Sequence, residues 1–303
     1  MATPIPSSTL ISSVPDLLLF LSSITPSSKL YLDLEGKSLS RNGTLSIMTV
    51  LVHPTRVTSL IDVQTLGNSA FTTSSGNGKT LKAMLEDPHT PKCLWDVRND
   101  ADALWAHYQV RLAGVTDVQL LKNASRAGDK TYIRGLDKCV EKDLGLKFME
   151  VHRWIKTKKE VQTLMPDDIF AHRPLDAKTM QYCVNDVVYL PLLHNIYTKR
   201  IDSQWMEKAM AESAQRVIDA CGSAYEPQSE TKKLGPWGTG LDKKLLTIDE
   251  WIDRWEEDQM DAMQRDMLGL NDFDDFEDYD DLDYPTNSND AAWDDTFDSC
   301  WEK

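Results

Sequence analysis

Two carboxylates, Asp33 and Glu35, stand two residues apart in the run Leu30–Gly36, L-Y-L-D-L-E-G. Successive side chains on a strand point to opposite faces, so Tyr31, Asp33 and Glu35 share one face and Leu30, Leu32 and Leu34 the other. On a core strand, two like charges side by side are costly unless something compensates them. A surface-facing edge strand carries the same alternation at no such cost, and a D-x-E pair alone does not separate the two. More acids follow. The run L-W-D-V-R-N-D-A-D-A-L-W offers Asp96, Asp100 and Asp102, and Y-C-V-N-D places Tyr182 and Asp186 at i, i+4, one turn apart on one helical face. Val187, Leu190 and Leu193 give that helix a packed face, where an Asp is unfavourable by propensity and by burial. Carboxylates converging to about 4 Å repel by about 4 kcal/mol per pair at an effective dielectric near 20. They would protonate rather than coexist unless divalent cations neutralised them. Hard oxygen ligands of this kind suit Mg²⁺ or Mn²⁺.

The elements that must position these acids alternate over the first two hundred residues. Strand patterns cover Lys29–Leu34, Leu45–Val52 and Val57–Asp62, with short polar links that predict an antiparallel meander. A first helix is expected around Leu17–Leu21, and helical periodicity follows at Thr80–Glu86 and Asn99–Tyr108. Short strands are expected at Lys92–Trp95 and Gly114–Asp117. Two or three helices fill Val118–Lys159, and one long helix is expected from near Leu175 to about Ile201. This order predicts an α/β fold, a mixed sheet flanked by helices. After Gln204 strand signals vanish. Trp205–Ala220 reads as a helix, and Gly222–Gly240 as a linker or extended arm rich in Gly, Pro and Ser. Thr247–Leu270 has a capping box (Thr247 with Glu250) and an apolar face, and D-F-D-D-F-E-D-Y-D-D-L-D-Y beyond it is too densely charged to pack. The division is therefore 1–204 as the main domain, 205–270 as a helical extension with an arm, and 271–303 as an acidic, disordered tail.

Composition sets the class. The apolar content of 41% and charged content of 27% are those of a soluble globular protein, and no apolar run approaches the roughly 20 residues that cross a bilayer. No signal peptide is expected, because the apolar Leu17–Leu21 piece is short and follows a stretch without Lys or Arg. Five cysteines, an odd number with no C-x-x-C spacing, suggest reduced thiols and a cytoplasmic or nuclear location. The net charge of −15 is uneven: from Asp249 onward 21 acidic residues face 3 basic ones, whereas residues 1–248 hold 27 acidic and 30 basic. The folded part is mildly basic, so the global pI of 4.8 does not argue against a nucleic-acid partner.

D-L-E, N-D-A-D-A-L and Y-C-V-N-D-V-V-Y-L, in this order, resemble the three motifs of the DEDD superfamily of 3′–5′ exonucleases, in its tyrosine subtype. The flanks W-D-V-R-N-D, V-T-D-V-Q and H-R-P-L-D resemble the RNase D-like and Egalitarian-like branch, and the resemblance spans roughly residues 15–200. It implies an RNase H-like (DnaQ-like) exonuclease fold. It also implies Asp33, Glu35, Asp100 and Asp186 as ligands of two divalent cations, Mg²⁺ or Mn²⁺, which activate a water and stabilise the leaving oxygen in phosphodiester hydrolysis. Asp33 would bridge both ions, Glu35 and Asp186 would hold the one that activates the water, and Asp100 would support the second. Tyr182, whose unperturbed pKa is too high for a simple base at pH 7, would orient the water. Within the second motif Asp96 competes with Asp100, which is preferred because Leu104 follows at the family's spacing.

The substrate expected is RNA or single-stranded DNA, trimmed from the 3′ end. Lys122, Arg126, Lys130, Arg134, Lys138 and Lys142 recur every four residues, although Gly128 and Gly135 interrupt a single helix. The stripe is either a solvated face or a phosphate contact, and Lys130, Arg134, Lys138 and Arg153 are the candidate contacts. Lys232, Lys233 and Trp237 in the arm could grip a single strand by charge and stacking. A protein partner could dock on the helical extension or the acidic tail, and no membrane partner is expected. The alternative function is a catalytically silent RNA-binding adaptor on the same fold, in which no chemistry would require this set of mutually repelling groups.

Overall fold

The computed structural model describes residues 8–238 apart from Asn77. The predicted helix 247–270 and the acidic tail lie outside the described residues. In chain order come β1 (Ser8–Ile11), α1 (Val14–Ser23), β2 (Lys29–Glu35), β3 (Ile47–His53) and β4 (Val57–Asp62). Three short helices follow, α2 (Val63–Leu66), α3 (Ser69–Thr72) and α4 (Leu81–Glu86), then β5 (Lys92–Leu94), α5 (Arg98–Tyr108) and β6 (Val115–Asp117). The remainder is helical: α6 (Val118–Ala124), α7 (Leu136–Asp143), α8 (Phe148–Gln162), α9 (Ala177–Val188), α10 (Leu190–Arg200) and α11 (Ser203–Cys221).

The strands form one six-stranded mixed sheet in the order β1-β4-β3-β2-β5-β6. The predicted meander is present as β2-β3-β4, paired antiparallel, while β5 and β6 extend it in parallel on one side and β1 joins β4 in parallel on the other. Strand β1 gave no sequence signal, because its four residues are mostly exposed and show no burial alternation. β2 lies inside the sheet, so both of its faces are covered. Leu30, Leu32 and Leu34 enter a core with Leu17 and Leu21 of α1, Leu85 of α4 and Leu104 of α5. The opposite face meets α9 and its neighbours, where Ile47 and Leu60 pack against Tyr182, Cys183 and Val184. This is an α/β sheet with helices on both faces, the expected fold class.

The long helix expected over Leu175–Ile201 is two helices. Pro191 lies in the first turn of α10, where its missing N–H is tolerated, so the chain breaks at Tyr189 instead of carrying a proline inside a helix. Helix α11 packs on α5, α6 and β6. The arm that follows docks by main chain: Gly235 N–H donates to Thr131 O at 2.7 Å, and Ile133 N–H to Lys233 O at 3.1 Å. A Cβ at Gly235 would lie 2.3 Å from Lys130 O, so only glycine allows this approach.

Candidate active site

Three of the sequence-predicted acids come together. Asp33 and Glu35 leave the helix-covered face of β2, opposite Thr49 and Ile47 of β3, and Asp186 comes down from α9. One carboxylate oxygen from each lies within 4.8 Å of the others, and all three residues are buried. Helix α9 is held for this by its N-terminal cap, where the Asp176 carboxylate accepts from the N–H groups of Lys178 and Thr179. Just before it, Arg173 makes a two-pronged ion pair with Asp62 at the end of β4, Nε to Oδ2 and NH2 to Oδ1, both 2.6 Å. The flank H-R-P-L-D thus ties the third motif to the sheet.

Tyr182, one turn before Asp186, is 1% exposed and its ring lies 5.9 Å from that of Phe170. Burial first, then the charges of Asp186, Glu35 and Asp33, push its phenol well above its ordinary pKa. This favours the neutral hydroxyl, which can both donate and accept a hydrogen bond. The neighbouring Cys183 thiol is raised by the same causes, burial first and then Glu35, Asp33 and Asp186.

The sequence reading gave Lys158 no place at this centre. From α8 its ammonium reaches Asp186 Oδ1 at 3.3 Å and lies over the rings of Trp154 (5.3 Å) and Tyr182 (5.9 Å). Its only sequence signal is membership of a basic run close to Arg153. The other Asp186 oxygen, Oδ2, is buried and receives no hydrogen bond. Three carboxylates within 4.8 Å, one ammonium among them and an oxygen of Asp186 without a donor form a hard, electron-rich donor set, which fits Mg²⁺ or Mn²⁺.

Asp100 is 2% exposed in the first turn of α5 and is not one of the three mutually close acids. Its neighbours in the motif are committed to arginines. Asp96 binds Arg98 through both oxygens (2.6 and 2.7 Å) and lies 3.5 Å from Arg216. Burial alone would raise its pKa, but Arg98, Arg216 and Lys232 together hold the carboxyl well below the usual range. Asp102 receives Arg41 Nε at 2.6 Å and the Arg41 backbone N–H at 2.7 Å.

Of the basic candidates, Lys130 is 8% exposed, donates to Arg126 O and lies 4.7 Å from the Trp205 ring, a placement that tells against phosphate contact. Lys122 pairs with Asp143 at 3.1 Å. The four-residue spacing crosses two helices and the loop between them, so it makes no continuous stripe. Arg134, Lys138 and Arg153 are exposed, with Lys138 3.7 Å from Glu141. Lys232 points inward to Asn99, while Lys233 stays exposed and Trp237 packs edge-on against Trp205.

Residues 12–202 match the family described as 3′–5′ exonuclease, well over half of the chain. The chain belongs to that family. No curated protein sequence matches it significantly. Among solved structures, RNase D of Trypanosoma brucei bound to GMP superposes with a TM-score of 0.58 at 21% identity, over 71% of this chain and 64% of that one. Escherichia coli RNase D gives 0.53 at 20% identity, over 73% of this chain and 52% of that one. The catalytic core of RRP6 from Trypanosoma brucei gives 0.54 at 15% identity, over 86% of this chain and 66% of that one. The chain thus spans under two thirds of the first of these relatives, and the shared fold is the RNase H-like exonuclease fold.

Proposed function

We propose that this family member is a metal-dependent 3′–5′ exonuclease that hydrolyses terminal phosphodiester bonds of RNA or single-stranded DNA by a two-metal mechanism. The observation that carries the reading is the buried convergence of Asp33, Glu35 and Asp186 beside Tyr182. Charges this close repel by about 3–4 kcal/mol per pair at an effective dielectric near 20, and Lys158 lies against Asp186. A fold retains such a convergence where bound cations neutralise it.

Asp33, Glu35 and Asp186 would hold one ion, and Asp33 with Asp100 the other. When bound, the ions supply Lewis-acid activation of a water and stabilise the leaving oxygen. Tyr182 keeps its proton, so its role is to hold the attacking water by a hydrogen bond. Lys158, against Asp186, would place positive charge where the phosphodiester becomes more negative. Arg153, exposed on the same helix as Lys158, with Arg134 and Lys138, would contact phosphates of the incoming strand. RNA is the first substrate to try, since a Trypanosoma brucei RNase D of this fold was crystallised with RNA U12.

The test is digestion of 5′-labelled RNA and DNA oligonucleotides with and without Mn²⁺, with Asp33→Asn in parallel. A ladder shortening from the 3′ end, dependent on Mn²⁺ and absent in the variant, is the expected result. Binding of the same oligonucleotides without any shortening would replace the enzyme by an adaptor.

A further inference from the structure

The four residues that precede Asp100 are held from behind by Asp117 and by a part of the chain that follows the family span. The Asp117 carboxylate accepts from the N–H groups of Asp96 (3.0 Å) and Val97 (3.1 Å) and is itself paired with Arg216 of α11 at 2.8 Å. Arg98, besides binding Asp96, donates to Lys232 O at 2.8 Å. Asn99 Oδ1 accepts from the Tyr225 hydroxyl at 2.6 Å and from Lys232 Nζ at 2.8 Å. The arm that brings Tyr225 and Lys232 there is pinned at its far end by the Gly235–Thr131 and Ile133–Lys233 hydrogen bonds.

We infer that Tyr225 and Lys232 are positioning residues for Asp100: through Asn99 they fix the first turn of α5 and so set where the second-motif carboxylate stands. The inference rests on the reading of Asp100 as a ligand of the second cation. Residue choice argues for more than packing. A half-buried lysine is costly, and burial first, with Arg98 and Arg216 nearby, takes the Lys232 ammonium down to about 8 against the pull of Asp96 and Asp100. An apolar residue would seal the same gap at less cost. Asp100 stands apart from the cluster of three acids and, on this inference, depends on the arm for its placement. Groups that orient a metal ligand without touching the ion typically matter 10–100-fold in affinity.

The test is Mn²⁺ titration of the full-length chain, followed by the electron paramagnetic resonance of free Mn²⁺. Wild type should bind two ions. Lys232→Met and Tyr225→Phe should weaken the second ion about 10–100-fold and leave the first unchanged, with a matching fall in kcat and no change in KM for RNA. Lys232→Arg should recover most of the loss. Wild-type affinity for both ions in Lys232→Met overturns the inference. So does parallel weakening of both ions together with a lowered melting temperature, which would make the arm a general support. A wild-type chain that binds no Mn²⁺, or an Asp33→Asn chain that binds it as well as wild type, overturns the cation reading and this inference with it.

Discussion

Two regions of this molecule bury acids, and they handle the charge in opposite ways. Around the start of α5 and the end of β6, acids are matched by arginines: Asp96 with Arg98 and Arg216, Asp102 with Arg41, Asp117 with Arg216. Between β2 and α9, three carboxylates lie within 4.8 Å of one another with Lys158 against one of them. Asp96 is half-buried, but the other acids are buried alike: Asp117 and Asp102 are 0% exposed, Asp33 and Asp186 3% and 1%. Desolvation therefore does not distinguish them, and partner choice does. An arginine completes a structural acid by charge and hydrogen bonds, two-pronged at Asp96, where Arg98 reaches both oxygens. Carboxylates brought together are instead the arrangement that the proposed function reads as a cation site.

The largest effect that tests this contrast is Asp33→Asn or Asp186→Asn. Cleavage should fall to background. For Asp33→Asn the metal-free protein should at the same time melt higher, because a repelling charge has gone. A gain of 1 kcal/mol corresponds to about 2–4 °C for a domain of this size. If Asp33→Asn lowered the metal-free melting temperature, the acids would be structural and the contrast would fail.

Next in size is the arginine-matched side. Asp117→Ala leaves Arg216 buried beside a partial partner and frees the N–H groups of residues 96 and 97. Breaking a buried pair costs about 3–5 kcal/mol, read as a shift in the urea midpoint with Mn²⁺ making no difference. Arginine-paired acids also set the response to acid, here and at the end of β4. At Asp62, burial alone would raise the pKa, but Arg173 and Thr65 together hold it low, and Asp96 is low for the comparable reason given above. A depressed folded pKa gives stability that is complete above the unfolded value, about 3.9, and is lost as pH falls through the folded one. Stability should therefore hold down to about pH 4 and fall below it, with a shallower fall in Asp62→Asn.

Local pattern made the three-acid cluster legible and hid the ion pairs. The alternation of L-Y-L-D-L-E and the i, i+4 spacing of Tyr182 and Asp186 are short-range signals, and the sheet and α9 keep both. The meander β2-β3-β4 was readable for the same reason. Arg216 with Asp117 and Lys158 with Asp186 join residues 99 and 28 positions apart, and no periodicity carries such a contact. The four-residue basic spacing misled because side chains repeat only while a helix continues, and Gly128 and Gly135 fall where it does not. Pro191 was a readable signal: inside an otherwise helical pattern it marks a boundary, and the helix does end just before it.

Lys158 gives the finest test, because it is the point where the surplus region borrows the device of the matched one. Its ammonium is 14% exposed and reaches Asp186 at 3.3 Å. Hydrogen bonds to charged groups contribute about 1.5–3 kcal/mol, so Lys158→Met should destabilise the metal-free protein by that order at neutral pH. Saturating Mn²⁺ should shrink the loss, since cations then stand in for the ammonium. Asp117→Ala should show no rescue by Mn²⁺. Urea unfolding of both variants at pH 7, with and without Mn²⁺, separates the regions. An equal loss for Lys158→Met with and without Mn²⁺ would mean that Lys158 belongs to the structural pairs, and that the acids around it are matched in the same way.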